Sequence, residues 1–222
     1  AASSARYFQE LMTAEDAIRF HYFENETDQF VAVARMINED LTTGELYPHD
    51  IAVVFPEAIS AEKRGALFRQ YLFDHGIESH MVGVTSSRDG FLLDGKVAIS
   101  GPYRAKGNEV PVVYVMDADY CATAPELIKK RNILFTAITR SRGWVRVCGC
   151  GQGMLTLQAE FDRLIAKNFS LDFTIPTPDE LQKMRTLYRD VTSDERKKAA
   201  DLQKAFERLP DNIEEANAVL QT

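Results

Sequence analysis

The chain has 222 residues, 45% hydrophobic and 27% charged, which is ordinary for a soluble globular protein and enough to bury one good core. Its 33 acidic against 26 basic side chains give a net charge of -7, so any contact with nucleic acid has to be local. The cysteines Cys121, Cys148 and Cys150 lack Cys-x-x-Cys spacing and fit a reducing cytoplasm; the apolar runs fall far short of the roughly 20 residues of a membrane span, and Ala1 to Met12 lacks the apolar core of a signal peptide.

In chain order, strand-type runs fall at Phe20–Phe23, Ile51–Phe55, Glu78–Val84, Val97–Ser100, Pro111–Met116 and Val145–Cys148. Several are near-continuous in apolar residues, as parallel strands buried on both faces are. Amphipathic helix patterns lie between them at Asp28–Leu41, Ala61–Asp74 and about Ala124–Thr139. Alternating strands and helices predict an α/β fold with a mostly parallel sheet and flanking helices over residues 1–168. Beyond that, Thr177-Pro178-Asp179-Glu180 and Thr192-Ser193-Asp194-Glu195 read as helix N-termini, with a third start at Asp211. Residues 169–222 are therefore expected to form a helical C-terminal extension.

Two glycine patterns imitate nucleotide sites. Gly90 to Val97 nearly spells a phosphate loop, but Val97 stands where a hydroxyl must reach magnesium, and Val97-Ala98-Ile99-Ser100 continues as a strand rather than a helix. Gly149-Cys150-Gly151-Gln152-Gly153 follows a strand, precedes a helix pattern, and has Asp172 at about the distance of a ribose-binding acid. A Rossmann-like dinucleotide site there stays open beside a flexible strand-to-helix turn, although Met154 replaces the last small residue of the motif.

Two other segments carry more chemistry. The run Tyr103 to Val115 is a polar, basic, glycine-containing loop followed at once by a buried strand. Loops at strand ends are where such sheets hold ligands; Gly107 allows close backbone approach, Arg104 and Lys106 suit phosphates, and Glu109 suits a ribose hydroxyl. The run Arg131 to Val147 is an apolar helix ending in Arg140, Arg142 and Gly143 before the next strand. Those arginines either complement the helix's negative end or present a planar, permanently charged donor to a phosphoryl group.

At these segments the chain resembles a known family. Tyr103-Arg104-Ala105-Lys106-Gly107-Asn108-Glu109 with its strand is similar to motif V of UvrD/Rep-type superfamily 1 helicases, and Leu134 to Val147 is similar to motif VI. Asp50 to Phe55 with its following helix resembles motif IV. The resemblance spans roughly Arg19 to Val147 and implies a RecA-like, C-terminal motor half. It implies that Arg140 is the arginine finger reaching a γ-phosphate bound on a partner domain. It further implies that Glu109, Gly107 and Arg142 lie on the nucleotide side, and that Tyr103, Arg104 and Lys106 face a single strand of DNA or RNA.

Departures from the family pattern carry information too. Pro56 occupies the position of a motif IV arginine, Tyr103 replaces a histidine, and about a dozen residues stand where long-form relatives insert a domain. No phosphate loop and no Asp-Glu pair after a buried strand accompany these motifs. The expectation is a piece of an ATP-dependent helicase, inactive alone, that shares ATP and magnesium with an N-terminal RecA-like domain; no metal ligands are assigned within this chain. The alternatives are a non-catalytic RecA-like binding or regulatory module and the dinucleotide domain.

Overall fold

The computed structural model describes residues 13–43, 46–86, 90–123, 126–170 and 177. After a single helical turn, α1 (Ala14–Ala17), the chain runs β1 (Ile18–Phe23), α2 (Glu26–Thr43), β2 (Ile51–Val54), α3 (Ala61–Asp74), β3 (Ser79–Met81), β4 (Val97–Ser100), α4 (Pro102–Ala105), β5 (Val110–Val115), α5 (Leu127–Ile138), β6 (Ser141–Cys150) and α6 (Gly151–Ala166). The six strands form one sheet in the order β1-β6-β5-β2-β4-β3, and every pairing is parallel. The chain divides after Ser170 into two units, and these elements all belong to the first. The helix starts expected at 178–180, 192–195 and 211, like the expected acid at 172, lie outside the described residues.

The near-continuous apolar strands are explained by burial on both faces, since Ile51, Ala52, Val53 and Val54 are all fully buried. One face packs Ile51, Val53, Val112 and Tyr114 against Phe30, Val33 and Ile37 of α2 and Phe68 and Leu72 of α3. The other packs Ala52, Val54, Val113 and Val115 against Ala105, Leu134 and Ala137, with Met154 and Leu157 of α6. α2 starts where Asn25 caps it, its side-chain oxygen accepting from the Asp28 amide at 2.9 Å. α3 stops where Gly76 turns to φ +71 and the Ile77 amide bonds back to the Leu72 carbonyl.

Element limits differ from the sequence reading in several places. The third strand is only Ser79–Met81, because the Val84 and Thr85 amides both bond back to the Met81 carbonyl and close a turn over the expected strand end. β1 begins two residues before Phe20, at Ile18, and β6 four before Val145, at Ser141, because pairing with neighbours takes in polar Arg19 and Ser141, which interrupt the apolar runs. α5 starts at Leu127, after Glu126 in a left-handed conformation.

Candidate functional site

Parallel pairing dictates where the motifs fall. A chain leaving the carboxyl end of β4 must travel the length of the sheet to enter β5 at its amino end. Residues 101–109 make that crossing, with the buried Pro102 and Ala105 anchoring α4 to the sheet. Tyr103 and Arg104 consequently belong to the carboxyl edge, and Gly107 and Glu109 to the amino edge. The loop expected at strand ends thus touches both edges of the sheet, with its glycine and glutamate at the amino edge.

At the carboxyl edge, Tyr103 and Arg104 line a pocket of about 170 Å³ with Glu62, Met81, Val82 and Ile99. Tyr103 is exposed. The Arg104 Nη1 donates to the Val82 carbonyl at 2.6 Å, and the guanidinium lies against Gly83, where an added Cβ would stand 3.1 Å from Nη1. Arg104 thus also pins the crossing loop to the turn after β3. Lys106 follows α4 on the exposed surface.

At the amino edge, the structure brings Gly107, Glu109, Arg140 and Arg142 together. The Val110 amide donates to the Arg140 carbonyl at 3.0 Å, and Arg142 Nη2 donates to the Glu109 carbonyl at 3.0 Å. The Ser141 hydroxyl lies 3.1 Å from the Pro111 carbonyl and 2.9 Å from that of Trp144, and a Cβ on Gly143 would stand a tight 3.2 Å from the Pro111 oxygen. Gly107 adopts φ +90, and nothing stands within 4 Å of the place a Cβ would take. The exposed Glu109 carboxylate has no protein partner among the described residues.

Arg140 follows the C-terminus of α5. Its Nε donates to the Thr136 carbonyl at 3.0 Å and its Nη2 to the Thr139 hydroxyl at 3.2 Å. Thr139 in turn donates to the Thr136 carbonyl at 3.1 Å. Nη1 meets no acceptor among the described residues. The side-on edge of the guanidinium is therefore held by its own helix, while its end-on edge, Nη1 with the second hydrogen of Nη2, stays available.

A second polar group at the carboxyl edge was missed by sequence reasoning. Arg64 on α3 donates through Nε and Nη2 to the two Asp117 oxygens at 2.7 and 2.8 Å, and through Nη1 to Glu26. The buried Gln29 donates to Asp117 at 2.6 Å, and Asp117 itself is left-handed, with φ 51. Burial opposes the Arg64 charge, but Asp117 and Glu26 outweigh it and hold its pKa above the ordinary value. The only sequence signal was two acids leaving a buried strand; nothing local pointed to a partner 53 residues away.

The glycine run after β6 has a structural occupant. Asp119 accepts from the Cys150 amide at 3.0 Å, at the N-terminus of α6 where a pyrophosphate would have to sit. A Cβ on Gly149 would stand 2.7 Å from Asp119 Oδ1, and one on Gly153 would stand 2.8 Å from the Asp119 carbonyl. Gly151 has φ +62. These glycines seat a loop of the same chain. The other decoy, Gly90 to Val97, holds an antiparallel bridge between Leu93 and Lys96 around Gly95 at φ +70, so it is a turn leading into β4.

An all-parallel sheet covered by helices on both faces, with its polar motif loops on the β4–β5 and α5–β6 connections, defines a RecA-like α/β domain. Residues 97–148 match the model of the UvrD-like helicase C-terminal domain family. That span carries all seven candidate residues, and the resemblance read from the sequence holds there. Similar solved structures include the C-terminal domain of a possible DNA helicase from Lactobacillus plantarum WCFS1, at 15% identity and TM-score 0.48, covering 65% of this chain and 81% of that one. Another is the C-terminal domain of the DEAD-box protein Dbp5, at 15% identity and TM-score 0.43, covering 79% and 99%. No curated protein matches the chain. Among the described residues no helix is long and apolar enough to cross a membrane.

Proposed function

We propose that this domain is the second motor half of an ATP-dependent superfamily 1 helicase, completing an ATP site on a partner RecA-like domain and contributing to a single-strand surface. The observation that carries the reading is the amino edge: Arg140 with its end-on donor edge and Glu109 with its carboxylate, both unpaired among the described residues, joined by backbone and guanidinium bonds between their segments.

In this reading Arg140 presents two N–H groups to the γ-phosphoryl oxygens and stabilises the charge that grows there. Glu109 accepts from the ribose, and Arg142, on the nucleotide side, also holds the Glu109 backbone through Nη2. Magnesium is assigned to the partner domain. The crossing loop supplies Tyr103 for base stacking and Lys106, with the remaining donors of Arg104, for strand phosphates. Because one short loop joins both edges of the sheet, a shift at the nucleotide edge is transmitted to the strand edge over residues 101–109.

The test is nucleic-acid-stimulated ATP turnover by the full-length protein carrying Arg140→Ala, Arg140→Lys or Arg142→Ala. Both Arg140 variants are expected to lose roughly 10³ to 10⁵ in turnover, the range of arginine fingers. Lysine keeps the charge but not the fork. Melting temperature is expected to stay close to wild type, because the charge at a helix end contributes only about 0.3–1 kcal/mol. Turnover within a few-fold of wild type for Arg140→Lys, or a greater loss from Arg142→Ala, sinks the assignment.

A further inference from the structure

The finger reading leaves open what aims the finger. An arginine side chain on a turn has four rotatable bonds, and a guanidinium offers two different bidentate edges, side-on and end-on. Here the side-on edge is occupied. Nε is taken by the Thr136 carbonyl, a backbone group exposed at the C-terminus of α5, and Nη2 by the Thr139 hydroxyl. Thr139 is itself fixed, since its hydroxyl donates to the same Thr136 carbonyl and its amide donates to Phe135. One hydroxyl hydrogen and one lone pair are each used once, which orients the hydroxyl fully.

We propose that Thr139 is the positioning residue for Arg140, its hydroxyl selecting the end-on edge of the guanidinium as the one presented to phosphate. The inference rests on the reading of Arg140 as the finger. Thr139 does not touch substrate; it acts through Arg140 alone. Without its hydroxyl the Nη2 hydrogen loses its acceptor, the ring of three bonds opens, and the guanidinium rotates about its last two bonds so that the side-on edge competes for the phosphoryl oxygens. Misplacements of about 1 Å in a catalytic group are known to lower rates by about 10²-fold.

The experiment measures stimulated ATP turnover and ATP KM of the full-length protein for Thr139→Val, Thr139→Ala and Thr139→Ser, each alone and in the Arg140→Ala background. Valine keeps the branched shape without the hydroxyl; alanine removes the same hydroxyl should valine fail to fold; serine returns it. The expected result is a fall in kcat of roughly 10- to 100-fold for valine and alanine with little change in KM, and recovery to within a few-fold for serine. In the Arg140→Ala background the same changes have no further effect, since nothing is left to aim. A merely structural threonine gives losses that persist in that background. That outcome, or wild-type turnover for valine and alanine while Arg140→Ala collapses, overturns the positioning role and leaves the finger standing. Undiminished turnover of Arg140→Ala removes both.

Discussion

At the amino end of the sheet, Arg140 satisfies one edge of its guanidinium on its own helix and leaves the other without an acceptor among the described residues. At the carboxyl end, Arg64 commits every nitrogen, to Asp117 and to Glu26, and lays its face over the Phe30 ring at 4.6 Å. Both are half-buried arginines beside a loop between elements, yet only the first has a nitrogen, Nη1, without an acceptor among the described residues. Commitment of every nitrogen to protein acceptors makes Arg64 part of the fold.

If that contrast is right, substitutions at the carboxyl end should cost stability. The largest such effect is expected for Arg64→Met. The pair it breaks is sheltered, with side chains 15% and 22% exposed, and its loss leaves the Asp117 carboxylate with Gln29 as its side-chain partner. Removing one member of a buried pair costs about 3–5 kcal/mol; with this residual exposure, about 3 kcal/mol is expected by denaturant unfolding. Arg64→Met with Asp117→Asn should recover part of that loss, because the orphaned charge goes with it. A loss below about 0.5 kcal/mol, the scale of a surface pair, breaks the comparison.

A smaller effect is expected at the joint between Asp119 and α6. Gly153→Ala places a Cβ 2.8 Å from the Asp119 carbonyl, a backbone atom that cannot swing aside. Overpacking of this kind costs about 1–3 kcal/mol, whereas alanine at an ordinary helix position would gain about 0.5–1 kcal/mol over glycine. The sign of the measured change decides between a packing joint and an idle flexible turn: a stabilised Gly153→Ala protein would mean that the glycine run is not filled by the Asp119 loop.

How much of this was legible beforehand follows from the range of each interaction. The sheet was readable because strands buried on both faces must be apolar along their length, as Ile51 to Val54 and Val112 to Val115 are. The ends of β1 and β6 were not, since pairing there recruits Arg19 and Ser141, which carry no apolar signal. The amino edge was legible through the motif resemblance, and the Arg140 tether is local, reaching only four residues back. By contrast, the Arg64–Asp117–Gln29 group joins three segments far apart in sequence, and the glycine run could not be assigned to Asp119 until the chain was folded around it. Local patterns specify elements and motifs; the partners that saturate a donor come from the tertiary fold.

The finest distinction concerns Asp119 itself. Its pKa is raised chiefly by burial, against the Cys150 amide that favours the carboxylate, while Asp117 and Glu26 push it further up. A carboxyl whose folded pKa lies above its unfolded value binds its proton more tightly in the native state. Stability is then lost as pH rises from the ordinary carboxylate range through the raised folded pKa, and the penalty is fully present above it. Asp119→Asn keeps an oxygen for the Cys150 amide, 3.0 Å away, and removes the charge. As pH rises from about 4, the ordinary carboxylate value, through the raised folded pKa, the melting temperature of wild type should therefore fall relative to that of Asp119→Asn. Opposing this is the helix macrodipole, which favours an anion at the N-terminus of α6 by about 0.3–1 kcal/mol. If the wild type instead gains on Asp119→Asn as pH rises, the dipole outweighs burial, and the glycine turn favours an anion at Asp119's position rather than tolerating one.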